Sequence, residues 1–511
     1  MLAHLQGTEF IYEQPAPAGM EYIFKHALTQ EVAYNSVLMA RRKSLHERAA
    51  VAIEQIYASG LEDHLSELAR HYSLSDNVLT AVEYLERAAQ QAIKRSANAD
   101  ALTSLATALN LLQQLPDGPE RQRRELLLLL SRGPALIALE GWSAPDVERT
   151  YSRALQLCEL LGEPTELFSA LFGLWAVYHV RGDFPNARRV AELLLKRANS
   201  ARDSSLSLLA GYGLGEALFH MGELLLARQH LEAANSLYDF ERDHQLAFRQ
   251  GGVDPRVNCL SYGAWTLWHL GYPDQALTRA NESLAHAQRL QHPFSLTFAT
   301  FLGAVVHEYR GEASLGQEMA EQVMALSAKH GFTFWSAFST LHHGYMIAEQ
   351  GRREEGLAEV REGIIATGAA GAELGRPMNI NQVAQICLDT GRVQEGLQIL
   401  AEAFVVTERR EDRTYEPETH RLKGELLLKQ NESNVAEAQT CFERAIEVAR
   451  KQSARSWELR ATMSLARLLT KPGRRNEARA MLAEIYNWFT EGFDTADLKD
   501  ARALLDELDR I

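Results

Sequence analysis

The sequence predicts an all-α chain, a right-handed α-solenoid of antiparallel helix pairs repeating about every 40 residues. Three observations predict it. A glycine followed five residues later by a small residue recurs as Gly182 with Ala187, Gly222 with Ala227, Gly271 with Ala276, Gly311 with Gly316, Gly351 with Gly356 and Gly391 with Gly396, at steps of 40, 49, 40, 40 and 40 residues. A second small residue stands seven positions before each turn, at Gly215, Ala264, Ala304, Gly344, Ala384, Gly424 and Ala466, with Trp175 the one exception. Small residues on facing helices let the two backbones approach closely. Finally, only 14 prolines in 511 residues leave room for many long helices.

Taken along the chain, four parts are expected: 1–60, 61–140, 141–485 and 486–511. In the first, Glu21 to Ala50 reads as two helices, with Phe24, Ala27, Leu28, Val32 and Leu38 at helical spacing and Arg41, Arg42 and Lys43 on the exposed side. The second opens with an early unit at Asp76 and Ala81, and Leu115-Pro116-Asp117-Gly118-Pro119 marks a helix stop and a hinge. The third carries the repeats, preceded by Val147 one period before Ala187 and followed by units at Ala438 and at Gly473 with Ala478. Larger apolar residues fill the gaps between pairs: Leu171, Leu174, Leu214 and Leu465 on the first helices, Leu231, Leu400, Phe442 and Leu482 on the second. In the last part, Leu498, Ala501, Leu504, Leu505 and Leu508 give a closing helix its inward face, the cap that a solenoid needs.

Composition narrows the function. Asp and Glu exceed Lys and Arg by 14, so no broad basic field exists for phosphate backbones, and direct nucleic-acid binding is not expected. No run of 18 apolar residues is present, and the first residues lack the basic start and apolar core of a secretory signal, so the reading is a cytoplasmic chain that does not span a membrane. Cys158, Cys259, Cys387 and Cys441 lie far apart within apolar helical patterns and read as small core residues.

The small-residue pairing is the tetratricopeptide pattern, with units about six residues longer than the usual 34. Beyond the repeats, EYIFKHALTQEVAY (Glu21 to Tyr34), ELARHY (Glu67 to Tyr72), LGYPDQAL (Leu270 to Leu277), RLKGELLL (Arg421 to Leu428) and WFTEGFDTADL (Trp488 to Leu498) carry a further likeness. The chain resembles the C-terminal tetratricopeptide region of bacterial AAA/STAND-type signalling ATPases, especially those fused to class III adenylate/guanylate cyclase domains. The resemblance implies that 1–60 is the remnant of a helical or winged-helix module that follows the ATPase. It also implies upstream ATPase and cyclase domains as partners. The sequence itself contains no GxxxxGK[ST] phosphate loop and no cyclase domain, so those activities are not expected on this chain.

HExxH, paired CxxC, GxSxG and EF-hand loops are absent from the sequence. Gly211-Tyr212-Gly213-Leu214-Gly215 imitates a dinucleotide loop, but it falls inside a predicted helix and reads as helix packing. His342 and His343 point about 100° apart on a helix and would not chelate one metal together. Neither a catalytic set, a metal nor a cofactor is expected.

In the tetratricopeptide pattern the first helix of each pair lines the concave face. Mapped by the turns, the inward set is Phe172, His179, Tyr212, Glu216, Phe219, His220, Asn258, Trp265, Trp268, His269, Phe301, Glu308 and Tyr309, then Tyr345 and Glu349. Further on it becomes Asp389, Glu418, Arg421, Glu425, Lys429, Arg460, Arg467 and Lys471. An aromatic wall with a few polar groups suits a peptide, a protein or a small effector, and it equally suits rings packed against the next unit. The long 49-residue step inserts a polar segment in which Arg249, Asp254 and Arg256 are candidate contacts, or a tolerated surface insertion. The expected function is a non-catalytic sensor or protein-interaction module regulating an ATPase-cyclase protein; the alternative is the effector-sensing domain of a STAND-type transcription activator.

Overall fold

The structure is a computed structural model; it describes every residue except 1, 17, 18, 96, 163, 247–251, 370, 471–473, 510 and 511, and the side chains of 16, 19, 164, 165 and 432. The chain is an α-solenoid divided into two units, 1–139 with 149–167, and 140–148 with 168–511.

The first unit begins with a short helix, Leu2–Gly7, followed by a hairpin. Ile11–Ala16 pairs antiparallel with Gly19–Phe24, Ile11 opposite Phe24 and Glu13 opposite Tyr22. The stretch from Glu21 was expected to be helical; instead Tyr22, Ile23 and Phe24, strand-favouring types, extend, and the Tyr22 hydroxyl donates to Glu13 at 2.8 Å across the pair. The two helices of this region are Ala27–Ser36 and Met39–Ile56. Helices Leu65–Ser73, Val78–Lys94, Asn98–Leu112 and Pro119–Glu140 follow. The turn at Leu115 to Pro119 is present, but Leu105, Leu112, Leu128 and Ala135 on its two sides share one core, so the division between units falls later than the expected hinge. Gly133 leaves the space that the Tyr151 ring occupies, which seats helix Pro145–Leu161 against Pro119–Glu140.

The second unit contains eight successive helix pairs among the described residues, from Pro164–Val180 with Phe184–Ala201 to Arg455–Thr470 with Arg475–Tyr486, and a closing helix Ala496–Asp509. Six of these pairs turn on a glycine: Gly182, Gly222, Gly271, Gly311, Gly351 and Gly391 all have φ between 68° and 97°, a conformation that a side chain disfavours, while the pair Glu416–Gln430 with Val435–Gln452 turns through Glu432–Asn434. Gly473 and Lys471 lie outside the described residues. Helix starts are fixed by carboxylate caps, Asp183 accepting from the Asn186 amide and Asp203 from the Leu206 amide. Trp175, the exception to the small-residue rule, is accommodated from the other side: Gly213 on the next inner helix lies flat against its ring and accepts its indole N–H at 3.2 Å. The four cysteines are free and buried.

The pairs wind until they meet themselves. The Val180 carbonyl accepts from the amides of Glu373 and Leu374 at 3.1 and 3.2 Å, and the His220 carbonyl from those of Arg413 and Thr414 at 2.8 and 3.3 Å. Ser456 Oγ donates to the Trp268 carbonyl at 2.5 Å, and Arg460 Nη2 to that of Tyr309 at 3.2 Å. Most partners stand between 184 and 195 residues apart in sequence, so one superhelical turn takes roughly five helix pairs. The connectors and helix starts of one turn therefore sit on the ends of the inner helices of the turn before.

No residue of helix Ala27–Ser36 is buried, and Leu28 and Leu38 are 71% and 80% exposed, so little apolar burial holds this segment in place. In limited proteolysis of the isolated chain, cleavage is expected first between residues 25 and 38; first cleavage within the repeats would contradict this reading.

Candidate functional site

The aromatic inner helices do not line an open groove. His179, Tyr212, Glu216, Phe219, His220, Asn258, Trp265, Trp268, His269, Phe301 and Tyr309 are buried, and Phe172 is half-buried. The next superhelical turn packs onto them. Trp268 stacks on Tyr309 with centroids 4.3 Å apart and meets Trp457 edge-on at 5.0 Å, while the Tyr309 and Tyr415 hydroxyls lie 2.6 Å apart. The Arg460 guanidinium covers both indoles, 5.2 Å from the Trp268 ring and 5.0 Å from the Trp457 ring. These rings plug the superhelical axis.

Beside the plug lies a buried polar set. His179 Nε2 is 3.0 Å from Glu216 Oε2, and His220 Nδ1 is 3.5 Å from Asp412 Oδ1. Burial pushes the Glu216 carboxyl well above the ordinary range, and burial together with His220 pushes His179 well below it, so burial favours the uncharged form of each. Burial likewise holds His269 down at about 3, although its Nδ1 hydrogen-bonds the Trp265 carbonyl at 2.8 Å. Among the described residues no group of three or more His, Cys, Asp or Glu side chains is placed to hold a metal ion.

Where the inner helices exchange aromatic rings for Met, Asn, Gln, Ser and charged side chains, the axis opens into a cavity of about 400 Å³. Six inner helices face it in succession. Pro293–Arg310 supplies Glu308 and Tyr309, and Thr333–Glu349 supplies Tyr345, Met346 and, at the rim, Glu349. Arg376–Thr390 adds Asn381, Gln382 and Gln385; Glu416–Gln430 adds Glu418 and Arg421. Arg455–Thr470 contributes Trp457, Arg460, Ser464 and Arg467, and Ala496–Asp509 contributes Asp497 and Asp500.

The charges in this cavity are largely matched. Arg421 forms a two-pronged pair with Glu418 at 2.6 and 2.8 Å, and Arg460 Nε donates to Asp497 at 2.8 Å. Burial opposes the Arg460 charge, but Asp497 and Glu418 more than offset it and raise its pKa. Glu308 accepts from Gln382 Nε2 at 2.7 Å and lies 2.9 Å from His342 Nδ1. Three groups have unmet hydrogen-bonding capacity: Gln382 Oε1, Trp457 Nε1 and Ser464 Oγ are buried without a partner. A larger cleft of about 560 Å³, lined by Glu192, Leu195, Lys196, Asn199, Ser200 and Leu214, is open to solvent and gathers no such set.

Thus Glu308, Tyr309, Tyr345 and Glu349, from the expected aromatic stretch, come together with Glu418, Arg421, Arg460 and Arg467 from the charged one. Gln382, Trp457, Ser464, Asp497 and Asp500 were not anticipated. A signal existed for two of them, since Trp457 and Ser464 stand three residues before Arg460 and Arg467 and share their helix face. In the long connector, Arg249 lies outside the described residues. Asp254 is fully buried: it caps helix Pro255–His269 through the amides of Arg256 and Val257 and accepts from the Tyr238 hydroxyl at 3.0 Å. It anchors the insertion and offers nothing to an external partner, while Arg256 lies over the Tyr238 ring. Likewise Gly211, Gly213 and Gly215 each face a different neighbour from within helix Ser204–His220, and His342 and His343 turn to different carboxylates, Glu308 and Glu359.

No protein-family model matches the chain. An uncharacterized protein of Rhizobium meliloti (strain 1021) is 25% identical over 466 residues, which is 90% of this chain and 45% of that protein; the chain spans less than half of its relative's length. Among solved structures, a Rap protein complexed with competence and sporulation factor is similar at a TM-score of 0.47 and 14% identity, over 78% of this chain and 99% of that one. The apo form of the quorum sensor NprR from B. thuringiensis gives 0.42 and 14%, over 73% and 99%. A signal transduction ATPase with numerous domains and a tetratricopeptide repeat sensor, from Pyrococcus horikoshii, gives 0.37 and 12%, over 88% and 74%.

The buried histidines set an acid limit. With His269 at about 3 in the folded chain and 6.5 as its ordinary value, the folded form binds this proton less readily than the unfolded form. Its stabilising contribution is complete above 6.5 and is lost as pH falls towards 3, and His179 acts in the same direction. Between pH 7 and 5, His269 alone is expected to cost about 2 kcal/mol. Thermal unfolding of His269→Asn, which keeps a donor for the Trp265 carbonyl, should show a smaller loss over that interval; an unchanged pH dependence would contradict the assignment.

Proposed function

We propose that this chain is a non-catalytic sensor module that binds a peptide or small effector in the cavity at its superhelical axis. The observation that carries this reading is the convergence of six inner helices on one half-open cavity lined by Glu308, Tyr345, Gln385, Glu418, Arg421 and Arg467. A guest in this cavity would touch helices from Pro293–Arg310 to Ala496–Asp509, about one full superhelical turn. Such a guest favours whichever arrangement of the array fits it, and so shifts the balance between two arrangements by differential affinity.

The output of the sensor, in our reading, is an attached nucleotide-driven signalling machine of the AAA/STAND type, with adenylate or guanylate cyclase domains as the effector. Its support is the resemblance of Glu21 to Tyr34 and of the strings that follow, together with a relative more than twice the length of the matched stretch. The compartment proposed for such a machine is the cytoplasm. Among the described residues no helix is long and apolar enough to cross a membrane.

A thermal-shift screen of the chain against a library of three- to five-residue peptides tests the sensor reading. A ligand present at 100 times its Kd stabilises by about 2.7 kcal/mol, a shift of a few degrees. We expect hits whose shift disappears in Arg467→Ala and Asp500→Ala, at two exposed lining residues, while the unliganded melting temperature stays close to wild type. A screen without hits, or hits indifferent to both substitutions, would argue for a spacer.

A further inference from the structure

Three helices of the first unit meet through a chain of titratable side chains. The Tyr34 hydroxyl, on helix Ala27–Ser36, is 2.9 Å from His46 Nε2 on helix Met39–Ile56, and His46 Nδ1 is 3.0 Å from His71 Nδ1 on helix Leu65–Ser73. Both imidazoles are half-buried, with ring centroids 5.1 Å apart. Two ring nitrogens facing each other at this distance share one proton, one donating and the other accepting. The chain is satisfied in either direction. If His46 donates to His71, its Nε2 accepts from Tyr34; if His71 donates, His46 Nε2–H donates to the Tyr34 oxygen.

A second proton at this contact removes its acceptor and sets two imidazolium rings against each other. The surroundings resist that proton further. Arg42, whose guanidinium lies 5.0 Å from the centre of the Tyr34 ring, and Arg70 on Leu65–Ser73 both act on His46. Against them stands one carboxylate beside His71, that of Glu67, which is also paired with His64 at 3.2 Å. Burial, then the His71 charge, then the two arginines hold His46 below its ordinary value; burial does the same for His71, with Glu67 opposing. Little apolar burial backs the contact, since Ala27–Ser36 buries no residue and Met39–Ile56 only Ala50. Towards the following helices, Met39–Ile56 is also linked through Lys43 to Asp76 at 2.6 Å, Glu47 to Asn77 at 3.4 Å and Glu54 to Tyr84 at 2.6 Å.

We infer that the Tyr34–His46–His71 chain is a pH-sensitive joint. With one proton between the two Nδ1 atoms, it fastens the helix pair Ala27–Ser36 and Met39–Ile56 to Leu65–Ser73; with both rings protonated, the pair comes away at this end. The joint is independent of the cavity and of what binds there. Released rings take up protons at the ordinary histidine value of 6.5, whereas the fastened pair withholds at least one of them. Fastening is therefore complete above that value and is lost as pH falls below it. Withholding one such proton lowers the fastened population, relative to the released one, by about tenfold between pH 7.5 and 5.5. Once released, a 10-residue helix without neighbours frays, so its amides report the change.

The test is hydrogen exchange of the full chain, read by mass spectrometry at pH 7.5 and 5.5, with each rate divided by the intrinsic rate at that pH. In the wild-type chain, exchange across residues 27–50 is expected to rise about tenfold or more on acidification. His71→Gln and His46→Gln are each expected to remove that rise, because a glutamine carbonyl accepts from a protonated imidazole and keeps the joint fastened at either pH. The ratio between the two pH values is taken within each variant, so one that packs less well at neutral pH still reports. A wild-type ratio near one would overturn the joint. So would a rise that persists undiminished in either variant, since the acid would then be acting elsewhere.

Discussion

An inner helix that ends at a tight turn leaves its last carbonyls without intrahelical partners, and in this superhelix the following turn supplies donors for them. The Val180 and His220 carbonyls receive connector amides, that of Trp268 the Ser456 hydroxyl and that of Tyr309 the Arg460 guanidinium. This contact closes the coil. It fixes how far the array advances per turn, and it sets the inner faces of successive turns close enough that little axial space remains. The last inner helices are tied back in the same way: Glu491 accepts from the amides of Asp274 and Gln275 at 3.0 Å, and Asp274 Oδ2 accepts from that of Gly492 at 2.9 Å.

What fills the axis then follows from side-chain volume. Rings on the early inner helices occupy it, and burial pushes the polar groups carried in with them towards their uncharged forms, as with His179, Glu216 and His269. Charged groups enter only where partners stand opposite, as Arg460 does between two indoles and Asp497. The cavity is the part of the axis where neither solution is complete. There the side chains are too small to meet, and some of their polar atoms remain unanswered.

The repeat was legible because it is local. A glycine at positive φ and a small residue seven positions earlier are requirements of one turn and one helix contact, so they recur in sequence with the structural period. The closing contact was not legible, since Val180 and Glu373 carry no mark of their pairing: it uses backbone atoms, which any residue provides. Without that contact, Trp265 and Trp268 could be assigned to the inner face but not to a filled axis. The charged residues Arg421, Arg460 and Arg467 could be placed on the same face, yet their convergence with Glu308 and Glu349 depends on superhelical advance per turn, which is a global quantity. The hairpin was missed for a related reason: Tyr22, Ile23 and Phe24 fit an apolar helix face as well as a strand, and the choice is made by the Ile11–Ala16 strand beside them.

Hydrogen exchange read by mass spectrometry tests the closing contact most directly, at the amides of Glu373, Leu374, Arg413 and Thr414. These lie in connectors or at a connector's edge, where an isolated helix pair would leave them open to solvent, but here they donate to carbonyls of the preceding turn. The closed superhelix predicts protection of about a thousandfold or more over the unfolded chain at these positions. Exchange near the unfolded rate, with the flanking helices still protected, would mean an open coil, and would remove both the aromatic plug and the cavity beside it.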